Sequence, residues 1–167
     1  MKKIILIITA LLFAGSVYAQ AGEGKGFQWS VMYRFDWYNW SDTHNAADLS
    51  VGYRFSRANY LGFQTGYILS SAFHNAPFIE GGDVRPRGAG VPLLLDYTHY
   101  YPLGTGDRHS VYVGTDIGYL VRFENSNTMF LSGKLGFDFE FGDMLPHLMV
   151  GLQANFWGLG ATVGFTF

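Results

Sequence analysis

From Phe27 to Trp37 the chain alternates without a break, with Phe27, Trp29, Val31, Tyr33, Phe35 and Trp37 on one parity and Gln28, Ser30, Met32, Arg34 and Asp36 on the other. The period is two, not 3.6, so successive side chains point to opposite faces of an extended strand. One face is apolar and aromatic, and the other is largely polar. The eleven residues of this run match the length at which a tilted strand crosses the hydrocarbon core of a bilayer, about 9–11 residues.

The pattern recurs in seven further segments. In the second, Ala47, Leu49, Val51, Tyr53 and Phe55 oppose Asp48, Ser50, Gly52 and Arg54. In the third, Leu61, Phe63, Thr65, Tyr67 and Leu69 oppose Gly62, Gln64, Gly66 and Ser70. The fourth is blurred by Leu93-Leu94-Leu95; Leu93, Leu95 and Tyr97 are read as outward and Asp96 and Thr98 as inward. Pro92 is then placed at the strand's start, where a missing donor is tolerated. In the fifth, Val111, Val113, Thr115, Ile117, Tyr119 and Val121 oppose Tyr112, Gly114, Asp116 and Gly118. The sixth sets Met129, Leu131, Leu135, Phe137, Phe139 and Phe141 against Ser132, Lys134, Gly136, Asp138 and Glu140. The seventh opposes Leu148, Val150, Leu152, Ala154 and Phe156 to Met149, Gly151, Gln153 and Asn155. The eighth opposes Leu159, Ala161, Val163, Phe165 and Phe167 to Gly160, Thr162, Gly164 and Thr166.

One face therefore carries no Asp, Glu, Lys or Arg in any segment, while the other collects Arg34, Asp36, Asp48, Arg54, Asp96, Asp116, Lys134, Asp138 and Glu140. A soluble sheet or lipocalin-like barrel buries its apolar face and shows the polar one to water. Here the apolar face is broad and aromatic on every strand, and the polar face is rich in glycine, as a narrow interior requires. Only 14% of residues are charged, well below the roughly 25% of a soluble domain. The expected fold is all-β, an eight-stranded antiparallel up-and-down transmembrane β-barrel, closed so that every backbone group pairs around the ring.

Residues 1–21 read as a secretory signal peptide. Lys2 and Lys3 form a basic start, Ile4 to Phe13 an apolar stretch, and small residues lead to cleavage after Ala19 or Ala21. The stretch is too short for a spanning helix, which needs about 20 apolar residues. Residues 22–167 are then the barrel domain, with 9 basic and 13 acidic residues, a net charge of −4. That charge excludes nucleic acid as a bulk electrostatic partner. With no cysteine in the chain, lipoprotein anchoring, disulfides and thiolate metal sites are excluded.

Connections are expected to alternate, with 38–46, 71–90 and 122–127 long and 56–59, 102–109 and 142–146 short. Long loops lie outside and short turns in the periplasm, so both termini are expected to be periplasmic. Trp37, Tyr38 and Trp40 then belong at the outer interface and Tyr60, Tyr100, Tyr101 and Phe167 at the inner one, as aromatic belts.

The chain resembles the small bacterial outer-membrane β-barrel families, with the architecture of OmpX and the OmpA membrane domain. It is more closely similar to the PorT-like outer-membrane barrel domain of Bacteroidota. Val91-Pro92-Leu93-Leu94-Leu95-Asp96-Tyr97 resembles that family's "IPLLLKY" strand, and Val111-Tyr112-Val113-Gly114-Thr115-Asp116-Ile117-Gly118-Tyr119 its next strand. Gly164-Phe165-Thr166-Phe167 looks like the aromatic terminal signal read by the barrel-assembly machinery, with Phe165 and Phe167 as its assembly residues. The resemblance implies location in the outer membrane, among outer-membrane lipid and lipopolysaccharide.

Three basic inward residues face six acidic ones, and the lumen of an eight-stranded barrel is filled by side chains. A salt-bridged plug is expected, because buried charges need partners; a narrow cation-favouring path is the alternative. The longest connection, 71–90, holds the surface binding candidates His74, Glu80, Asp83, Arg85 and Arg87, and the two guanidinium groups suit lipopolysaccharide phosphates. Catalysis lacks its constellation. Barrel lipid A deacylases place His and Ser two residues apart on one strand, and none of His44, His74, His99, His109 and His147 has that partner. Barrel palmitoyltransferases use an Asp-Ser dipeptide, which this sequence lacks. No His pair has metal-ligand spacing and no cofactor is expected. The expected function is a non-enzymatic envelope barrel with a structural or surface-interaction role. A small channel or secretion accessory, or a lipid A-modifying enzyme, are the alternatives.

Overall fold

The computed structural model describes residues 25–38, 42–72, 89–104, 108–123, 127–142, 145–155 and 158–167. The signal-peptide reading of residues 1–21 lies outside these residues. Eight strands follow one another: β1 (Gly26–Tyr38), β2 (Asp42–Arg54), β3 (Asn59–Ala72), β4 (Gly90–Pro102), β5 (His109–Arg122), β6 (Thr128–Phe139), β7 (His147–Asn155) and β8 (Gly158–Thr166). Each pairs antiparallel with its neighbours in sequence, and β8 returns to β1 to close the barrel.

The register fixes the shape. Cross-strand partners traced from Phe27 run through Tyr53, Leu61, Tyr97, Thr115, Gly133, Ala154 and Leu159 and return to β1 at Trp37, ten residues further along. A closed ring with that stagger requires strands inclined to the barrel axis, by about 35–45° in barrels of this kind.

The alternation sorts the side chains as the sequence predicts. Val31, Tyr33, Leu61, Leu95, Leu135, Leu152 and Val163 stand exposed on the outer wall, while Arg34, Asp48, Asp96, Asp116 and Lys134 are buried inside. An uninterrupted apolar wall of this extent belongs in hydrocarbon rather than water. At the chain's end Phe167 stacks on Trp29, with ring centroids 4.1 Å apart and planes 7° apart. The two residues also exchange backbone hydrogen bonds of 2.8 and 3.1 Å.

Three sequence expectations need correction. Tyr60 and Tyr100 do not join a lipid-facing belt; both are 3% exposed and point into the lumen, because they share the even parity of their strands' inward residues. The strands also run further than their hydrophobic cores. β2 begins at Asp42, so the connection 39–41 is short, as is 123–127, leaving 73–89 as the one long link between strands. Finally, Pro92 is the third residue of β4 rather than its start.

Candidate functional site: the lumen

The nine inward charges do not form one network; they divide by height. Lys134 on β6 sits at the centre of the first group. Its Nζ donates to Asp96 Oδ1 at 2.5 Å and to Asp116 Oδ1 at 2.9 Å. Asp96 and Asp116 lie directly opposite each other on β4 and β5, a like-charge pairing that is destabilising by itself. Lys134 resolves it by reaching over β5 to both. Gly114 makes that reach possible: a Cβ there would come within 2.6 Å of Lys134 Cε and of the Tyr97 carbonyl oxygen. Hydroxyl groups complete the carboxylates. Ser50 and Thr98 donate to Asp96 at 3.0 Å each, Ser132 donates to Asp116 at 2.8 Å, and Tyr60 bonds Ser50 at 2.8 Å. The network ties β2 to β6 together, and every ionised group in it is paired.

The second group lies nearer the end of the barrel away from the termini. Arg34 Nε is 3.1 Å from Asp36 Oδ2 and its Nη1 is 3.4 Å from Asp48 Oδ2, with all three side chains buried. Proximity here is not matched by hydrogen-bond geometry: Nε, Nη1 and Nη2 of Arg34 and Oδ1 of Asp48 have no hydrogen-bond partner among the described residues. The guanidinium instead faces the ring of Phe130, 5.4 Å from its centroid.

The third group closes the end that carries the termini. Tyr60, Tyr100, Tyr112 and Met149 pack as one buried cluster. Tyr112 leans over β6 and β7, where Gly136 and Gly151 leave it room; a Cβ on Gly151 would stand 2.2 Å from the phenolic oxygen. Gln28 Nε2 donates to Tyr100 OH at 3.3 Å, and Arg54 lies over the Tyr100 ring at 4.3 Å. Arg54 and Glu140 are the two predicted charges that escape full burial. Arg54 caps the carbonyl of Arg57 through Nε and Nη2 at 3.2 and 2.6 Å. Glu140 stands 4.0 Å from His147 Nε2, whose Nδ1 meets the buried Asp138 at 3.2 Å.

The inner face also holds something the sequence reading did not anticipate. In the half away from the termini, Ala46, Ile68, Pro92, Leu94, Leu120 and Phe130 are buried inside, and Ala46, Ile68 and Leu120 form a cluster. Parity alone marks them as inward; their apolar character departs from the largely polar interior expected. The loop candidates His74, Glu80, Asp83, Arg85 and Arg87 lie outside the described residues. Of the assembly residues, Phe165 is exposed on the outer wall and Phe167 is held by Trp29. Among the described residues, no group of three or more His, Asp or Glu side chains is placed to hold a metal ion.

No family model matches the chain, and no curated protein does. Solved structures do match. A de novo designed transmembrane β-barrel superposes with a TM-score of 0.55 at 12% identity, over 87% of this chain and 96% of the other. Neisserial surface protein A, NspA, does so with a TM-score of 0.50 at 13% identity, over 84% and 92%. At such identities the likeness is one of fold, and that fold is the eight-stranded transmembrane barrel.

Proposed function

We propose that this chain is an outer-membrane barrel of non-enzymatic role, a closed scaffold that contributes to the envelope or presents its loops at the surface. The observation that carries this reading is the Lys134 network, which places a cation and two carboxylates across the middle of the lumen and leaves none of them free to line a water path. Below it the tyrosine cluster occupies the end that carries the termini. The long connection 73–89 supports an orientation with both termini in the periplasm, since long loops face outward. Outer-membrane lipid and lipopolysaccharide are the proposed surroundings, and the terminal Phe165 and Phe167 the proposed contact with the assembly machinery. Planar-bilayer recording tests the closed lumen: a flat current is expected, and steady single-channel steps overturn it. A cation-favouring channel is the second reading, favoured by the four buried aspartates set against Arg34 and Lys134. Lipid A mass spectra unchanged on deletion of the protein are expected, and a shifted acyl pattern would make it an enzyme.

A further inference from the structure

At the end of the barrel that carries the termini, one imidazole is caught between two carboxylates. His147 opens β7, and Phe139↔Leu148 is the last pair of the β6–β7 ladder, so the ring stands just beyond that pair. Its Nδ1 lies 3.2 Å from Asp138 Oδ2 and its Nε2 lies 4.0 Å from Glu140 Oε2. An ionised carboxylate only accepts hydrogen bonds, so a ring nitrogen that faces one needs a proton. The neutral ring carries a proton on one nitrogen and turns a lone pair toward the other carboxylate. The imidazolium donates at both, and only that form matches the geometry.

The other groups around the ring do not take over its part. Asp138 is buried, its Oδ1 has no hydrogen-bond partner, and among the described residues its one ion pair is with His147. Arg54 faces the ring from β2, yet its Nε and Nη2 donate to the Arg57 carbonyl and its guanidinium covers the Tyr100 ring. From β4 and β5, Tyr100 and Tyr112 face Asp138 as phenols, which stay protonated through the neutral range. On β8 His147 pairs with Thr166, and the terminal carboxylate follows on Phe167, whose ring stacks on Trp29. Arg108 gives its carbonyl to the Glu140 N–H at 3.0 Å and is itself exposed. We propose that His147 is a proton-operated pin: charged, it staples the β6–β7 hairpin at the mouth that carries the termini, and neutral, it lets that corner open. Because the proton favours the stapled form, closure is complete in acid and is lost as pH rises through the His147 titration.

The test is amide hydrogen exchange of the full-length protein in detergent micelles at about pH 5.5 and about pH 8.5, on either side of the imidazole range. Rates are corrected for the intrinsic effect of pH. Peptides spanning 139–148 are expected to open about fivefold more often at the higher pH, the weight of a charge-assisted hydrogen bond that is partly exposed. Peptides across Lys134 are expected to exchange alike at both. His147→Gln keeps a donor and removes the titration, so its exchange at 139–148 is expected to be the same at the two pH values. His99 and His109 titrate in the same window at the same end of the barrel, and His99→Gln with His109→Gln is expected to keep the full step. A second measurement needs no variant: the imidazole 15N spectrum of the wild type gives the His147 midpoint, which is expected to coincide with the midpoint of the exchange step. A wild type without a step, a step that survives His147→Gln, or midpoints that disagree overturns the pin.

Discussion

Lys134 and Arg34 hold the same formal position, a buried cation between two aspartates, yet they are built differently. Lys134 binds both partners at 2.5 and 2.9 Å, and hydroxyls from three strands satisfy the remaining carboxylate oxygens. Arg34 approaches its partners at 3.1 and 3.4 Å with no aligned hydrogen bond, and its guanidinium faces the Phe130 ring. The reason lies in the neighbours. Lys134 is surrounded by Ser50, Thr98 and Ser132, whereas Arg34 adjoins the apolar Ala46 and Phe130. A flexible ammonium with hydroxyl neighbours makes a fixed tie, and a planar guanidinium with few polar neighbours makes a loose one. The interior is thus a hydrogen-bonded waist beneath a more apolar upper chamber.

The contrast can be broken by deletion. Lys134→Met leaves Asp96 and Asp116 opposed and uncompensated, and a loss of about 3–5 kcal/mol is expected. Urea unfolding in detergent micelles, followed by tryptophan fluorescence, reads it directly. Arg34→Met also strips the cation from two buried carboxylates, Asp36 and Asp48, but breaks no aligned hydrogen bond, so a smaller loss, about 3 kcal/mol at the lower end of that range, is expected in the same assay. Equal losses from the two substitutions would end the distinction between waist and chamber. Ser132→Ala sharpens the comparison by removing only the 2.8 Å bond to Asp116 Oδ2, with an expected loss of about 1 kcal/mol. That loss should vanish in the Lys134→Met background if the hydroxyl and the ammonium act as one network, and persist if they act independently.

Much of this was legible in the sequence, and the reason is physical. In a barrel the parity of a residue decides its face, so the uncharged outer wall and the inward placement of Arg34, Asp48, Asp96, Asp116 and Lys134 follow from alternation alone. Which of those charges meet depends on register, and register is set by pairing between strands. Nothing local in Asp96 or Asp116 announces that they stand face to face, or that Lys134 passes over Gly114 to reach them. Tyr60 and Tyr100 were misread because an aromatic near a strand end suits an interfacial belt as well as a lumen; parity separates the two. Ile68, Leu94, Leu120 and Phe130 were missed because inward positions were expected to be polar. Pro92 was visible, but that its missing donor falls opposite Gly66 depends on register.

The bonded contact between Trp29 and Phe167 carries a consequence for the order of events. These residues are separated by almost the whole barrel sequence, so the interface between β1 and β8 cannot form until β8 reaches β1. Closure is therefore the last pairing of a ring built strand by strand: until β8 is in place β1 keeps an unpaired edge, and no partial ring can finish early. Contacts of such long sequence separation also form slowly. Before closure the chain is an open ribbon with two unpaired margins, and whatever escorts it must hold both margins apart until β8 arrives to join them.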